Sequence, residues 1–269
     1  MFYGTLNQNI VGVTLILFKR GKMEVQPQDH KLTKKEKRLL RKETGDKDRL
    51  KTNNLILKQV QPLTENQRRT FDNFNQGYNL LLHGIAGTGK SYCAIYLALK
   101  EILNKHSYEN LTIVRSVVPT RDMGFLPGNQ KEKAMAYEGP YYPIVNSLFG
   151  RGDAYQILKQ KNVINFMTTS FIRGITIDDS VIVVDEMQNM SWGELDSIIT
   201  RVGNNCRIIF CGDFRQTDFI KDSEKEGLKR FMNVLDRMRD FAYIEFVEDD
   251  IVRSALVKDY IIAKTRVGY

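Results

Sequence analysis

Leu80-Leu81-Leu82-His83-Gly84-Ile85-Ala86-Gly87-Thr88-Gly89-Lys90-Ser91 is an apolar run that empties into a glycine-rich octet. A helix-forming segment, Ala94-Ile95-Tyr96-Leu97-Ala98-Leu99, follows at once. Residues Gly84 to Ser91 satisfy G-x-x-x-x-G-K-[ST], and the strand–loop–helix order around them is the context in which that pattern has physical meaning. Glycines let successive backbone N–H groups turn inward around phosphate oxygens, and a helix starting near Lys90 aims its positive end at the same charge. The expected nucleotide-binding residues are therefore Gly84, Ile85, Ala86, Gly87, Thr88, Gly89, Lys90 and Ser91. Lys90 is expected on the β- and γ-phosphates of ATP and the Ser91 hydroxyl on Mg²⁺.

On either side of this stretch, short apolar runs alternate with amphipathic ones, the pattern of a mostly parallel sheet with helices on both faces. Strands are expected at Leu80–His83, Leu111–Val114, Val163–Phe166, Val181–Val184, Arg207–Cys211 and Tyr243–Phe246. Helices are expected at Glu65–Asn75, Lys90–Leu103, Lys131–Ala136, Trp192–Arg201, Lys225–Met238 and Ile251–Lys264.

Two of the apolar runs end in residues with chemistry. Val181-Ile182-Val183-Val184-Asp185-Glu186 delivers two carboxylates to the end of a buried strand, where α/β sheets bind ligands. Asp185 reads as a direct or indirect partner of Mg²⁺, and Glu186 as the group that orients and deprotonates an attacking water. Read alone, such a pair could equally cap the next helix; the upstream phosphate loop favours the chemical reading. Cys211-Gly212-Asp213-Phe214-Arg215-Gln216 leaves another strand, with Gln216 placed to reach the water or the γ-phosphate, or to form an ordinary polar turn. Gln67 precedes the loop by the interval at which ATP-driven helicases place an adenine-reading glutamine. Thr64-Glu65-Asn66-Gln67 is also a helix capping box, which gives Gln67 a second reading.

Charge is concentrated at one end. Between Lys31 and Lys51 ten basic residues face four acids, which accounts for +6 of the chain's net +8. A boundary near residue 60 separates this basic N-terminal segment, 1–60, from the α/β body, 61–269. Thr33-Lys34-Lys35-Glu36 has the form of a helix cap within it. A segment so basic suits RNA, single-stranded DNA or another polyanion; a solvated helix face is the alternative. Three cysteines, Cys93, Cys206 and Cys211, fit neither a zinc site nor a disulfide framework and suggest a reducing, cytoplasmic setting. The apolar run Ile10 to Phe18 is too short to span a bilayer and lacks the flanks of a signal peptide, so no membrane partner is expected. It reads as a short strand, or as a stretch upstream of a true start at Met23.

The ordered motifs together resemble the PhoH family of P-loop ATPases, in the form common in bacteriophage genomes. The resemblance covers roughly residues 60 to 265. It runs through Gly124-Phe125-Leu126-Pro127-Gly128 with Glu132-Lys133, Ser170-Phe171-Ile172-Arg173-Gly174, and Asp185-Glu186-Met187-Gln188-Asn189-Met190. It continues through Thr200-Arg201-Val202-Gly203, Gly212-Asp213 with Gln216, and Asp250-Ile251-Val252-Arg253. It implies a RecA-like P-loop NTPase fold similar to the first motor domain of a superfamily 1 helicase, ATP hydrolysis, and a homo-oligomer in the form of a hexameric ring. Relatives fused to a PIN-type ribonuclease act on RNA; the length left over here has no room for such a domain, so that activity is not expected to carry over. The chain departs from the pattern in having Arg115-Ser116 for Arg-Pro, Ile175 for the second arginine of Arg-Gly-Arg-Thr, Ser254 for histidine, and Asn146 for aspartate.

Helicase motors close a second domain over ATP and supply an arginine to the phosphate being transferred. The residues after the loop suffice for one motor domain, so that arginine is expected from a neighbouring subunit, with Arg253 as first candidate and Arg173 as second. Arg253 paired with Asp250 or Glu248 is the structural alternative. Tyr137-Glu138-Gly139-Pro140-Tyr141-Tyr142-Pro143 concentrates aromatics in an insertion, and reads either as a base-stacking surface or as a small buried cluster.

Overall fold

A computed structural model describes residues 17–19, 22–24, 55–116, 136–213 and 222–267 of the 269-residue chain. The basic run, the Thr33–Glu36 cap, the Gly124–Gly128 block, the start of the helix expected from Lys131, and Gln216 lie outside those residues. The chain divides into two compact units, Met1–Leu50 and Lys51–Tyr269. In the first, β1 (Leu17–Lys19) and β2 (Lys22–Glu24) form an antiparallel hairpin. The boundary falls about ten residues before the expected one. Leu55 is buried, and the Lys58 N–H donates to the Leu148 carbonyl, so residues 55–63 already belong to the larger unit.

That unit is built on six parallel strands, β3 (Asn79–Gly84), β4 (Asn110–Arg115), β5 (Ile164–Thr168), β6 (Ser180–Asp185), β7 (Arg207–Gly212) and β8 (Phe241–Phe246), in spatial order β5-β4-β6-β7-β3-β8. Every strand foreseen from the apolar runs is present, offset by a residue or two. Burial explains the runs: Leu80, Leu81 and Leu82, like Val181 to Val184, are wholly inaccessible, which requires cover on both faces of the sheet.

On one face lies α2 (Lys90–Lys100), whose residues Cys93 to Leu99 are all buried; a helix apolar all round belongs inside a protein. It lies against β4, β6 and β7 and ends in a π-helical turn, Glu101–Lys105, rather than continuing to Leu103 as an α-helix. The alternate residues of the strands, Leu81, Val114, Ile182, Val184, Ile208 and Phe210, face the other side. There they meet side chains of α5 (Thr169–Ile172), α6 (Trp192–Ile199) and α7 (Asp222–Asp236). Helix α1 (Glu65–Asn75) covers β3 and β8.

Three of the described α-helices are not in the sequence reading: α3 (Tyr141–Phe149), α4 (Ala154–Gln160) and the single turn α5. The prolines that suggest a loop sit where a helix tolerates them. Pro140 is the N-cap of α3 and Pro143 falls in its first turn, where an amide donor has no intrahelical acceptor. Gly150, at φ +64°, closes it in the left-handed conformation. Conversely, Ile251 to Ser254, expected as helix, precede α8 (Ala255–Arg266): the Val252 N–H is drawn to the Gly87 carbonyl at 3.0 Å. All three cysteines are free, and among the described residues no helix is long and apolar enough to cross a membrane.

Candidate nucleotide site

The parallel sheet delivers the ends of four strands to one edge, and a cleft of about 890 Å³ opens there. It is lined by the phosphate loop after β3, Asp213 after β7, Asp185 and Glu186 after β6, and Arg115 at the end of β4. Residues 60–63 and the first turns of α3 wall it.

The loop is held by backbone. Gly84, Gly87 and Gly89 all have positive φ, at 112°, 77° and 84°. At Gly84 the constraint is absolute: a Cβ there would lie 2.1 Å from the Phe246 carbonyl oxygen, which also accepts from the Ile85 N–H at 3.1 Å. Ile85 and Thr88 turn their side chains into the protein, with the Thr88 hydroxyl donating to the Ile85 carbonyl, so they offer a ligand only their backbone. Ala86, Gly87, Gly89, Lys90 and Ser91 line the cleft. The Lys90 ammonium is buried and donates to the carbonyls of Gly84 (2.8 Å) and Ile85 (2.7 Å), facing the Phe246 ring at 5.9 Å. Burial lowers its pKa, against the opposing pull of Asp213, Cys211, Asp185 and Glu186.

Gln67 is buried, and its amide is spent on the loop: Nε2 donates to the Thr88 carbonyl at 3.0 Å and Oε1 accepts from the Leu63 N–H at 2.8 Å. Thr64 does cap the Gln67 N–H, but the side chain of Gln67 does not return the bond to Thr64 as the capping box requires.

Asp185 is clasped from both sides. Its Oδ1 accepts from the Ser91 hydroxyl at 2.7 Å and its Oδ2 from the Tyr141 hydroxyl at 2.9 Å. Burial, then the charge of Asp185, pushes the Tyr141 phenol well above its ordinary range, so it remains a donor. Glu186 adopts φ +55°, a left-handed conformation that costs a residue of this kind on the order of 1 kcal/mol or more and persists only where surroundings impose it. Burial and then Asp185 raise its carboxyl pKa. Gln188 ties the strand ends together, donating to Glu186 and accepting from the Asp213 N–H at 3.1 Å. Its fit depends on Gly212, where a Cβ would lie 2.5 Å from Met187 and 2.9 Å from Gln188.

Tyr141, Gln188, Arg115 and Asp213 are the site residues that sequence reasoning passed over. Gln188 and Asp213 stand inside quoted motifs, Arg115 was noted only beside the departure at Ser116, and Tyr141 was noted only as one aromatic of the Tyr137–Pro143 segment. Two departures from the family pattern find uses. The Ser116 hydroxyl, which proline would lack, donates to Glu194, and Asn146 donates to the Gly152 carbonyl, which aspartate could not.

The remaining candidates fall as follows. Arg253 lies against its own loop, its Cγ 3.1 Å from where a Gly87 Cβ would be, and lines the cleft of its own chain. Neither acid offered to it is engaged there: Asp250 accepts from Asn66 and the Val247 N–H, and Glu248 lies 3.6 Å from Arg266. Arg173 is exposed at the end of α5 and does not line the cleft. Of the two readings of the Tyr137–Pro143 segment, the buried cluster is the one observed: Tyr141 is fully buried, and Tyr142 stacks on Tyr155 at 4.2 Å.

Residues 59–264 match the family model described as PhoH-like protein. The chain belongs to the PhoH family. A PhoH-like protein of Bacillus subtilis is 33% identical over 187 residues, 69% of this chain and 58% of the relative; one of Mycobacterium leprae is 30% identical over 208 residues, 77% and 58%. The chain thus spans little more than half the length of these PhoH relatives. Among solved structures, the Pif1 helicase of Candida albicans matches 70% of the chain and 41% of its own, at 16% identity and a TM-score of 0.34.

For a cation, the donor set is informative. Among the described residues no cluster of three or more His, Cys, Asp or Glu side chains could hold a metal by itself. A hydroxyl and a carboxylate side by side fit Mg²⁺, which prefers one or two protein oxygens together with phosphates and water. Ser91 and Asp185 would hold it.

Proposed function

We propose that this PhoH-family chain binds ATP with Mg²⁺ and hydrolyses it. The observation that carries the reading is the 2.7 Å hydrogen bond from Ser91 to Asp185, which joins the phosphate loop to the end of β6 with Glu186 alongside. The loop amides and Lys90 would bind the β- and γ-phosphates, Lys90 exchanging carbonyl oxygens for phosphate oxygens. Bound Mg²⁺ would neutralise charge on those phosphates. Glu186, held by Gln188, would take a proton from a water as its oxygen bonds to the γ-phosphorus and the bond to the β-phosphate oxygen breaks, releasing ADP and phosphate. A base that activates water would waste ATP in a kinase, and release of inorganic phosphate without a phosphorylated acceptor is the expected product pattern. Gln67 is better suited to stiffen the loop than to read adenine, although its second N–H remains available for the base.

The coupled work belongs to the same proposal: binding or remodelling of RNA or single-stranded DNA, as a ring of identical subunits. The basic run Lys31–Lys51 supports a polyanion, and exposed Arg173, outside its own cleft, is the candidate to serve a neighbour's nucleotide. The deciding experiment is phosphate release with and without RNA or single-stranded DNA, on protein of known native mass. Stimulation that disappears at high salt supports the motor reading. Slow release that no nucleic acid alters points to a nucleotide-dependent regulatory switch, and no release at all overturns the hydrolase.

A further inference from the structure

Tyr141 reaches the cleft from outside every phosphate motif, on a helix the sequence did not announce. We infer that Tyr141 is a positioning residue for the divalent cation: its hydroxyl fixes the Asp185 carboxylate in the orientation that serves the Ser91–Asp185 oxygen pair. The inference rests on the ATP and Mg²⁺ reading above.

Asp185 is only 6% exposed and has one donor on each oxygen, Ser91 on Oδ1 and Tyr141 on Oδ2. Rotation of the carboxylate breaks one of the two bonds, so the pair of donors sets its plane. Both bonds run toward Asp185. The Ser91 oxygen therefore keeps its lone pairs for a cation, and each carboxylate oxygen keeps acceptor capacity for the cation or its waters. Tyrosine suits this task because it donates without adding a charge that would repel the metal.

Tyr141 is itself fixed from behind. Its ring lies 5.9 Å from that of Phe166, and it opens α3, whose start is anchored on α4. There Tyr142 stacks on Tyr155, and the Tyr155 hydroxyl donates to buried Glu138 at 2.8 Å. Lys159 pairs with the same carboxylate oxygen. The hydroxyl is thus set in part by residues 138–166, outside the loop. A buried phenol needs an acceptor in any protein, so a purely structural role predicts a loss of stability alone. A positioning role predicts in addition a change in cation affinity.

The test is Tyr141→Phe, which keeps the ring and deletes the hydroxyl. ADP affinity in excess EDTA should match the wild type, while Mn²⁺ binding to the ADP complex, followed by electron paramagnetic resonance, should weaken by about ten-fold, the lower range for a residue that orients a metal ligand. Mn²⁺ affinity within about two-fold of wild type overturns the inference and leaves the ATPase reading standing. If wild-type protein with ADP binds no Mn²⁺, the functional reading has failed and this one falls with it. Should the phenylalanine variant not fold, 3-fluorotyrosine placed at position 141 keeps the hydroxyl. Its fluorine line must then broaden with Mn²⁺ only when ADP is present, and absence of that broadening overturns the proposal.

Discussion

The phosphate loop and the Asp185 clasp face each other across one cleft, yet they are made in opposite ways. The loop is contiguous in sequence and shaped mainly by backbone: three positive-φ glycines, a carbonyl approach at Gly84, and hydrogen bonds from Ile85 to Phe246 and from Val252 to Gly87, with the Gln67, Thr88 and Lys90 side chains bonded to its carbonyls. The clasp gathers Ser91, Tyr141 and Asp185 from three elements and is held wholly by side chains. Backbone devices tolerate side-chain change except where a Cβ intrudes; side-chain devices fail by the loss of one atom while the fold survives.

Four further variants sharpen that contrast. The largest effect should come from the catalytic end of the clasp: Glu186→Gln is expected to lower the rate of phosphate release by about 10³-fold, the size of a lost general base, with ATP binding retained in an equilibrium fluorescence titration. Next, Lys90→Ala should weaken nucleotide binding by about 10²-fold, since it removes charge-assisted bonds to two phosphates, and should lower the melting temperature modestly, since the Gly84 and Ile85 carbonyls lose a donor. Gly84→Ala inverts that pattern. The clash with Phe246 and the φ of 112° should destabilise the larger unit by about 3 kcal/mol or more in urea unfolding, and binding is lost with the fold.

The smallest effect concerns His83, one residue before the loop. Burial lowers its pKa, with Lys90 acting in the same direction and Glu245 and Asp213 opposing. The unfolded chain therefore takes up a proton more readily than the folded one. Stability from neutral His83 is present above about pH 6.5 and declines as pH falls through that value. Melting temperatures measured from pH 7.5 down to 5.5 should fall in the wild type and fall less in His83→Gln.

The same division explains what could be read in advance. Strands buried on both faces write themselves as uninterrupted apolar runs, so all six parallel strands were legible, and with them the loop, Asp185 and Glu186. Tyr141 was not, because its role depends on a contact 44 residues away and on Pro140 and Pro143, which read as a loop until their positions in the first turn of α3 are known. The place of Arg253 was equally hidden, because no periodicity marks a residue laid against a loop of its own chain. The Val252–Gly87 bond, which puts Arg253 over its own loop, joins residues 165 positions apart and leaves no periodic trace.

That bond, with the approach of Phe246 to Gly84, has a consequence for the order of synthesis. A ribosome makes the octet Gly84 to Ser91 well before the residues that shape it, since Phe246 and Val252 follow Ser91 by 155 and 161 positions. At about 5–20 residues per second, the nascent loop waits on the order of ten seconds for its final two partners. The loop can therefore take its final shape only after Val252 has left the ribosome.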